Sequence, residues 1–399
     1  MKFTWFHRIN ARHITIVMCL LSVAISMQCY FAHGNGGYTR YNNYVIFKNS
    51  FLHLLENKNL YTLYINEVYD LFKYSPTFAV LMAPFYYLPD FIGLPLFNLL
   101  NVGVFLYALS KLKIDPKRYK YLLLFLFIEV GISLTSTQTN LLMAGLIMLG
   151  FASLENNKIF LAAFCIALTV YIKLFGVVAF ALWFLYPNKP KFLLYSIFWM
   201  VVLAALPLVV ISMHQLVQQY QNWQALLKED HDLSYGASFI GWMHSWFGLN
   251  ISKIGTVAVG AVLFLLPFLK LRLYSIYLYR LHILASVLIW VIIFNHRAES
   301  STYSIALTGV GLWYFSQKPV TFYRVLLILC LLLCSVSSTD LLTPGWIARK
   351  YIEPYSVKAV LPCIIWALLI WDILSERLIK RNGAIASTAK TRVASERFA

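Results

Sequence analysis

A lone lysine, Lys173, separates two apolar runs in the stretch Tyr171-Ile-Lys-Leu-Phe175. An ammonium within a bilayer costs at least about 2.5 kcal/mol and persists where it is paired or used. Two more polar interruptions read Gln138-Thr-Asn140 and Asn295-His-Arg-Ala-Glu-Ser-Ser301, the latter bringing His296, Arg297 and Glu299 together. Cations of this kind can hold a phosphodiester, and a carboxylate can take the proton of a hydroxyl. Two further acids, Glu67 and Asp70, stand with Lys73 just before Pro76. That loop reads equally as a solvated stretch beside a membrane, with tyrosines at headgroup level.

Other polar residues have plainer readings. Glu129 lies nine residues beyond Lys120, about 14 Å along a helix, which places it near mid-membrane. A carboxyl there is either satisfied by a neighbouring helix or part of a proton relay, and no second midplane acid accompanies it. Asp372 lies near a span end, where it is expected to reach the interface. His296 and Glu299 share a helical face, but a metal site needs further ligands, so no metal is expected. The six cysteines, Cys19, Cys29, Cys165, Cys330, Cys334 and Cys363, all fall in apolar runs and read as packing residues.

The elements that must position these groups follow from composition. Of 399 residues, 60% are hydrophobic and only 12% charged, more apolar surface than a soluble core absorbs. Lipid leaves no partner for an unpaired backbone group, so long apolar runs imply helices and an all-α polytopic membrane fold. Twelve spans are expected, near 13-33, 91-110, 120-136, 139-154, 158-172, 174-186, 191-213, 252-270, 281-296, 301-316, 320-338 and 357-375. The first reads as an uncleaved signal anchor. They form one integral domain, 1-376, followed by a basic tail, 377-399.

The net charge of +17 would point to nucleic acid in a soluble chain. Here it reports orientation, and no nucleic-acid partner is expected. With both termini cytoplasmic, 22 of the 33 basic residues lie inside. That parity requires 77-89, short and bounded by Pro76, Pro84 and Pro89, to re-enter rather than cross. The outer loops are then 34-76 and 214-251. The first holds an amphipathic interfacial helix beginning near Tyr44, and the second carries Trp223 and the run Ser234-Tyr-Gly-Ala-Ser238.

Three segments occur in a telling order: Tyr74-Ser-Pro-Thr-Phe-Ala-Val-Leu-Met-Ala-Pro-Phe-Tyr-Tyr-Leu-Pro89, Gln138-Thr-Asn-Leu-Leu-Met-Ala-Gly-Leu, and the Ile172-Lys173 turn. Across about 40 to 300 the chain resembles glycosyltransferase family 87 of the GT-C superfamily, the polyprenol-phosphate-mannose-dependent mannosyltransferases. Its members show a Tyr-x-Pro opening, a Gly-Gln-x-Asn turn and an Ile-Lys turn. The resemblance implies a GT-C-like enzyme of a bacterial plasma membrane with an outward-facing site. It would move a mannose-like hexose from a polyprenyl-phosphate donor to an extracytoplasmic glycan or glycolipid, using no nucleotide sugar and no cofactor. Membrane lipid is the remaining expected partner.

Carried over by motif, Gln138, Asn140 and Lys173 are donor-binding residues, with Lys73, His296 and Arg297 beside them. The family's putative base, an Asp early in the first outer loop, is replaced here by Arg40-Tyr-Asn-Asn-Tyr44. Amides cannot take a proton, so Asn42 and Asn43, with Ser238, are expected to contact the acceptor instead. The base then falls to Asp70 first, with Glu299 and Glu67 as the other outer acids. The family's late Trp-Asp-His-His-like turn reads Asn295-His-Arg-Ala-Glu here, and Thr137 stands where the family has Gly. The chain is thus a divergent member.

Two other classes fit twelve spans. A transporter or flippase of lipid-linked sugars would show two-fold repetition and broken midplane helices, and no internal repeat is visible. A membrane scaffold would not need Lys173 and the 295-300 cluster to converge.

Overall fold

The computed structural model describes residues 10-32, 34, 37-230, 235-339 and 343-381. Its regular elements are all helical: α1 Ala11–Phe31, α2 Asn42–Leu55, α3 Pro76–Leu81, α4 Ala83–Tyr86, α5 Asp90–Ser110, α6 Pro116–Thr135, α7 Asn140–Glu155, α8 Ile159–Ile172 and α9 Lys189–Ala205. These are followed by α10 Met213–Asp230, α11 Phe239–Phe247, α12 Lys253–Leu265, α13 Tyr277–Ile293, α14 Tyr303–Phe315, α15 Thr321–Cys330, the short α16 Gly345–Ile347 and α17 Val357–Leu374. A 3-10 helix, Leu174–Leu185, joins α8 to α9.

Local chemistry sets several boundaries. Asp115 accepts from the N–H groups of Lys117 and Arg118 and starts α6, with Pro116 at the first helical position, where no N–H is needed. Asn10 caps α1 and Ser252 caps α12 in the same way. Proline ends regular helix elsewhere: α9 and α12 each tighten into a 3-10 turn, Leu206–Val209 and Leu266–Leu269, around Pro207 and Pro267. Helix occupies most of the described residues of each expected span, but 174-186 is not an α-helix. Its twelve residues as a 3-10 helix reach about 24 Å, where an α-helix would reach about 18 Å.

Among the described residues, five helices are long and apolar enough to cross a membrane: Ala11–Phe31, Asp90–Ser110, Lys189–Val209, Thr321–Ser338 and Val357–Leu374. Along α9, Leu193, Leu194, Ile197, Phe198 and Val201 are exposed, an outward apolar stripe that water would penalise and lipid would not. This is an integral membrane protein. Inside, Gly145 lets α7 approach the backbone of α5 at Phe105, and Gly309 lets α14 approach the carbonyl of Ala285 on α13.

Side-chain contacts sort the connections into two ends. At one end Arg280 grips Glu155 in a two-pronged ion pair, at 2.5 and 2.9 Å, and Lys270 and Arg272 meet Glu376. At that same end the Lys113 N–H donates to the Tyr277 hydroxyl, and Arg118 donates to the Gln317 carbonyl. The other end gathers α2, the α6–α7 turn, Lys173 and the 295-301 turn. Residues 76-86 stay there. They form two short helices packed on α2, and the chain then starts α5 with Asp90 ion-paired to Lys48 of α2 and accepting from the Tyr41 hydroxyl. Accordingly this segment returns to the end it left.

Two buried acids are settled structurally. Glu129 is fully buried and meets the Lys358 ammonium of α17 at 3.1 Å, the neighbouring-helix pairing expected of it. Asp372 lies near the end of α17 and turns inward. It is buried, accepting from the Tyr323 hydroxyl at 2.6 Å and paired with Arg381 at 2.6 Å.

Candidate functional site

The α6–α7 turn is the framework of the site. Thr137 holds it in the left-handed region at φ +49, the conformation glycine adopts without cost. That is the position where the resemblance expects Gly. The turn then presents Gln138 and begins α7 with the buried Asn140.

Lys173 extends its ammonium to this turn from the end of α8. It donates to the Asn140 carbonyl oxygen at 2.7 Å and to that of Gln138 at 3.3 Å. The Tyr74 ring lies 5.7 Å from the ammonium, close enough for a cation–π contact, and the Tyr74 hydroxyl meets Thr139 at 3.3 Å. Lys173 stands between the two helical segments, outside both. Burial pushes its pKa down to about 8, opposed by the nearby Glu299 carboxylate.

The amides carry the connection onward. The Asn140 amide donates to Gln138 at 3.1 Å and to the Ser301 hydroxyl at 3.2 Å, and the Gln138 amide donates to Glu299 at 2.8 Å. Glu299 also caps the turn Ser300–Thr302, its side chain accepting from the backbone of Thr302. Lys173, Asn140, Gln138 and Glu299 thus form one connected polar chain drawn from three distant parts of the sequence. Beyond Glu299 lies a chamber of about 690 Å³, lined among others by Ser300, Ser338, Arg349, Glu353 and Lys358.

The remaining expected residues have definite places. Asp70 pairs with Lys73 at 3.2 Å, its side chain 47% exposed. Glu67 is held by α2, accepting from Asn49 at 2.9 Å and lying 3.1 Å from His53. Asn43 donates to the Ser136 carbonyl at 2.8 Å, docking α2 on the α6–α7 turn, while Asn42 accepts from the Tyr69 N–H at 3.4 Å. The Ser238 hydroxyl is buried, donating to the Tyr235 carbonyl and capping α11 at Gly241, a structural task. His296 and Arg297 lie partly buried in the turn preceding Glu299. The sequence reading passed over Tyr74 and Ser301 as site residues and placed no partner opposite Glu129.

The sequence profile of glycosyltransferase family 87 matches residues 72-337, well over half of the chain. The chain belongs to glycosyltransferase family 87. In this glycosyltransferase the matched stretch contains the whole Lys173–Asn140–Gln138–Glu299 chain, and leaves outside it Asn42, Asn43, Glu67, Asp70 and the far chamber wall from Ser338 onward. A crystal structure of ArnT from Cupriavidus metallidurans bound to undecaprenyl phosphate is similar to this family-87 chain, at 12% identity over 91% of it and 77% of that chain, with a TM-score of 0.39. No curated protein matches it.

Proposed function

We propose that this membrane glycosyltransferase moves a mannose-like hexose from a polyprenyl-phosphate donor to an extracytoplasmic glycan or glycolipid. The observation that carries the reading is Lys173: a partly buried ammonium held by neutral amides, with the Glu299 carboxylate set behind Gln138 and not in direct contact with it. A cation so placed supports recognition of a phosphodiester, because amides orient it without neutralising it.

The reaction needs two groups. The acceptor hydroxyl oxygen attacks the anomeric carbon and the bond from that carbon to phosphate breaks, with inversion. The electron pair leaves on polyprenyl phosphate, where Lys173 stabilises it. The hydroxyl proton goes to a carboxylate. Glu299 suits this step because Gln138 and the Thr302 backbone fix its orientation, and a carboxylate has lone pairs beyond those two bonds. Asp70, tied to Lys73 at an exposed rim, is the alternative base.

The decisive experiment incubates purified protein with radiolabelled polyprenyl-phosphate hexoses and membrane extract, and looks for a labelled product. Lys173→Met keeps most of the volume and removes the charge. Transfer falling steeply while the variant remains folded supports the reading, and undiminished transfer makes Lys173 a structural lysine.

A further inference from the structure

Glu299 borders two spaces. One side of it joins the Lys173 chain, and the other lines the chamber of about 690 Å³. Small-molecule sites commonly measure about 300–1,000 Å³, so the chamber is of ligand size. Its far wall, formed by Ser338 and by residues between Gly345 and Lys358, lies beyond the stretch that matches the family profile.

That wall is built from uncommon backbone. Leu331–Ser335 is a π-helical turn leading toward Ser338, and Ala348–Ile352 is a second one carrying Arg349. Such turns are rare and concentrate at functional sites. Ser356 lies between Glu353 and Lys358 at φ +47, a left-handed conformation that a serine adopts only under constraint from its surroundings. Its hydroxyl donates to the Gly236 carbonyl at 3.3 Å and lies against Gly241, where a Cβ would come within 2.8 Å of it. Lys358 is 4% exposed, and its ammonium is tied to Glu129 and to the Ser300 carbonyl, each at 3.1 Å. The wall is therefore braced from behind, and the bracing acts on the residue following Glu299.

The chamber's chemistry selects its occupant. Its polar lining has two carboxylates, Glu299 and Glu353, the Arg349 guanidinium, the hydroxyls of Ser300 and Ser338, and Lys358, whose ammonium is already engaged by Glu129. A prenyl tail needs walls of hydrocarbon throughout, and an anionic headgroup needs a surplus of cations; here Ala237, Ala348, Ile352 and Val357 are interspersed with the polar groups, and the cations do not outnumber the carboxylates. Donors and acceptors set among small apolar patches, with no excess of cations, match a polyhydroxylated, uncharged ligand, whose rings carry both hydroxyls and C–H faces. We infer that the chamber is the saccharide subsite for the acceptor, with Arg349 and Glu353 reading sugar hydroxyls and Glu299 at its inner boundary facing the donor. This rests on the transferase reading above and assigns the substrate class of its second subsite.

The test separates the two. Saturation-transfer NMR with methyl α-mannoside and mannobiose is run on the purified full chain, and binding of polyprenyl-phosphate mannose is measured on the same samples. Mannobiose is expected to bind the unaltered protein, at least 10-fold more weakly to Arg349→Met and Glu353→Gln, and within twofold of normal to Lys173→Met. Donor affinity is expected to fall at least 10-fold in Lys173→Met and to stay within twofold in the two chamber variants. Mannobiose that binds no form, or binds all forms alike, overturns the saccharide subsite. So does donor affinity falling in Arg349→Met or Glu353→Gln, which would make the chamber a donor site. Unchanged donor binding in Lys173→Met, with the mannobiose pattern as expected, overturns the donor reading and leaves the chamber assignment standing. Thermal unfolding of each variant identifies loss by misfolding, and Arg349→Lys, retaining charge without the planar fork, is expected to recover only part of the mannobiose binding.

Discussion

The Gln138 amide reaches the Glu299 carboxylate across 2.8 Å, although 161 residues separate them. Through this bond the carboxylate and Lys173 share a partner, since the Gln138 carbonyl oxygen accepts from the Lys173 ammonium. One glutamine thereby sets the spacing between the group proposed to hold phosphate and the group proposed to take a proton.

The base assignment separates by paired substitutions. Glu299→Gln keeps the shape and loses the basic oxygen, so turnover is expected to fall roughly 100-fold or more. Asp70→Asn is expected to stay within a few-fold of normal, because Asp70 is tied to Lys73 at an exposed rim. Initial rates with radiolabelled donor measure both. The reverse pattern would return the role to Asp70.

The pH profile reports on Lys173. With its pKa lowered to about 8, the free protein loses the ammonium as pH rises through that value. kcat/KM for the donor is expected to decline on the alkaline side of about pH 8. Glu299 opposes the lowering, so Glu299→Gln should move this limb to lower pH. A limb that stays in place, read from residual activity or from donor binding, removes the electrostatic link between the two residues.

The buried pair of Lys358 and Glu129 predicts an asymmetric stability response. Lys358→Met strands a buried carboxylate and is expected to cost about 3–5 kcal/mol. Combining it with Glu129→Leu removes both charges and should restore most of the loss. Thermal unfolding in detergent checks this, and a double variant no better than the single would show that the two charges are not coupled.

Orientation is open to chemistry from outside the cell. Cysteines introduced at Lys113 and Asn250 fall at opposite ends of the bundle, and the inside excess of basic residues puts Lys113 in the cytoplasm. An impermeant thiol reagent applied to intact cells is expected to label only the Asn250 site. Labelling at Lys113 alone would turn the proposed site toward the cytoplasm.

The helical fold and much of the polar chain were legible in the sequence because polarity is conspicuous against hydrocarbon. Lys173, Gln138 and Asn140 interrupt apolar runs, and the cost of burying them singles them out. The return of 76-86 was legible from its prolines. What a single chain does not disclose is pairing over distance. Lys358 sits two residues into an apolar helix, 229 residues from Glu129, and only the tertiary arrangement that sets α6 and α17 both against α14 unites them. Tyr74 opens the Tyr-x-Pro motif, but nothing in its position along the chain places its ring beside Lys173. The 3-10 path of Leu174–Leu185 escaped for a different reason: its composition is that of any apolar helix, and its tighter winding reflects tertiary context.

Ser75 and Thr77 donate to the carbonyls of Tyr171 and Leu203, at 2.5 and 2.7 Å, near the ends of α8 and α9. Those carbonyls lie 96 and 126 residues further along the chain, so the returning segment leaves the ribosome long before either acceptor exists. Until α9 has been made and inserted, its two hydroxyls must find temporary partners in water or headgroups. Assembly of the proposed site is therefore timed by translation: Tyr74 cannot settle beside Lys173 before about half of the polypeptide has emerged, and a nascent chain halted earlier would hold a membrane domain without its catalytic face.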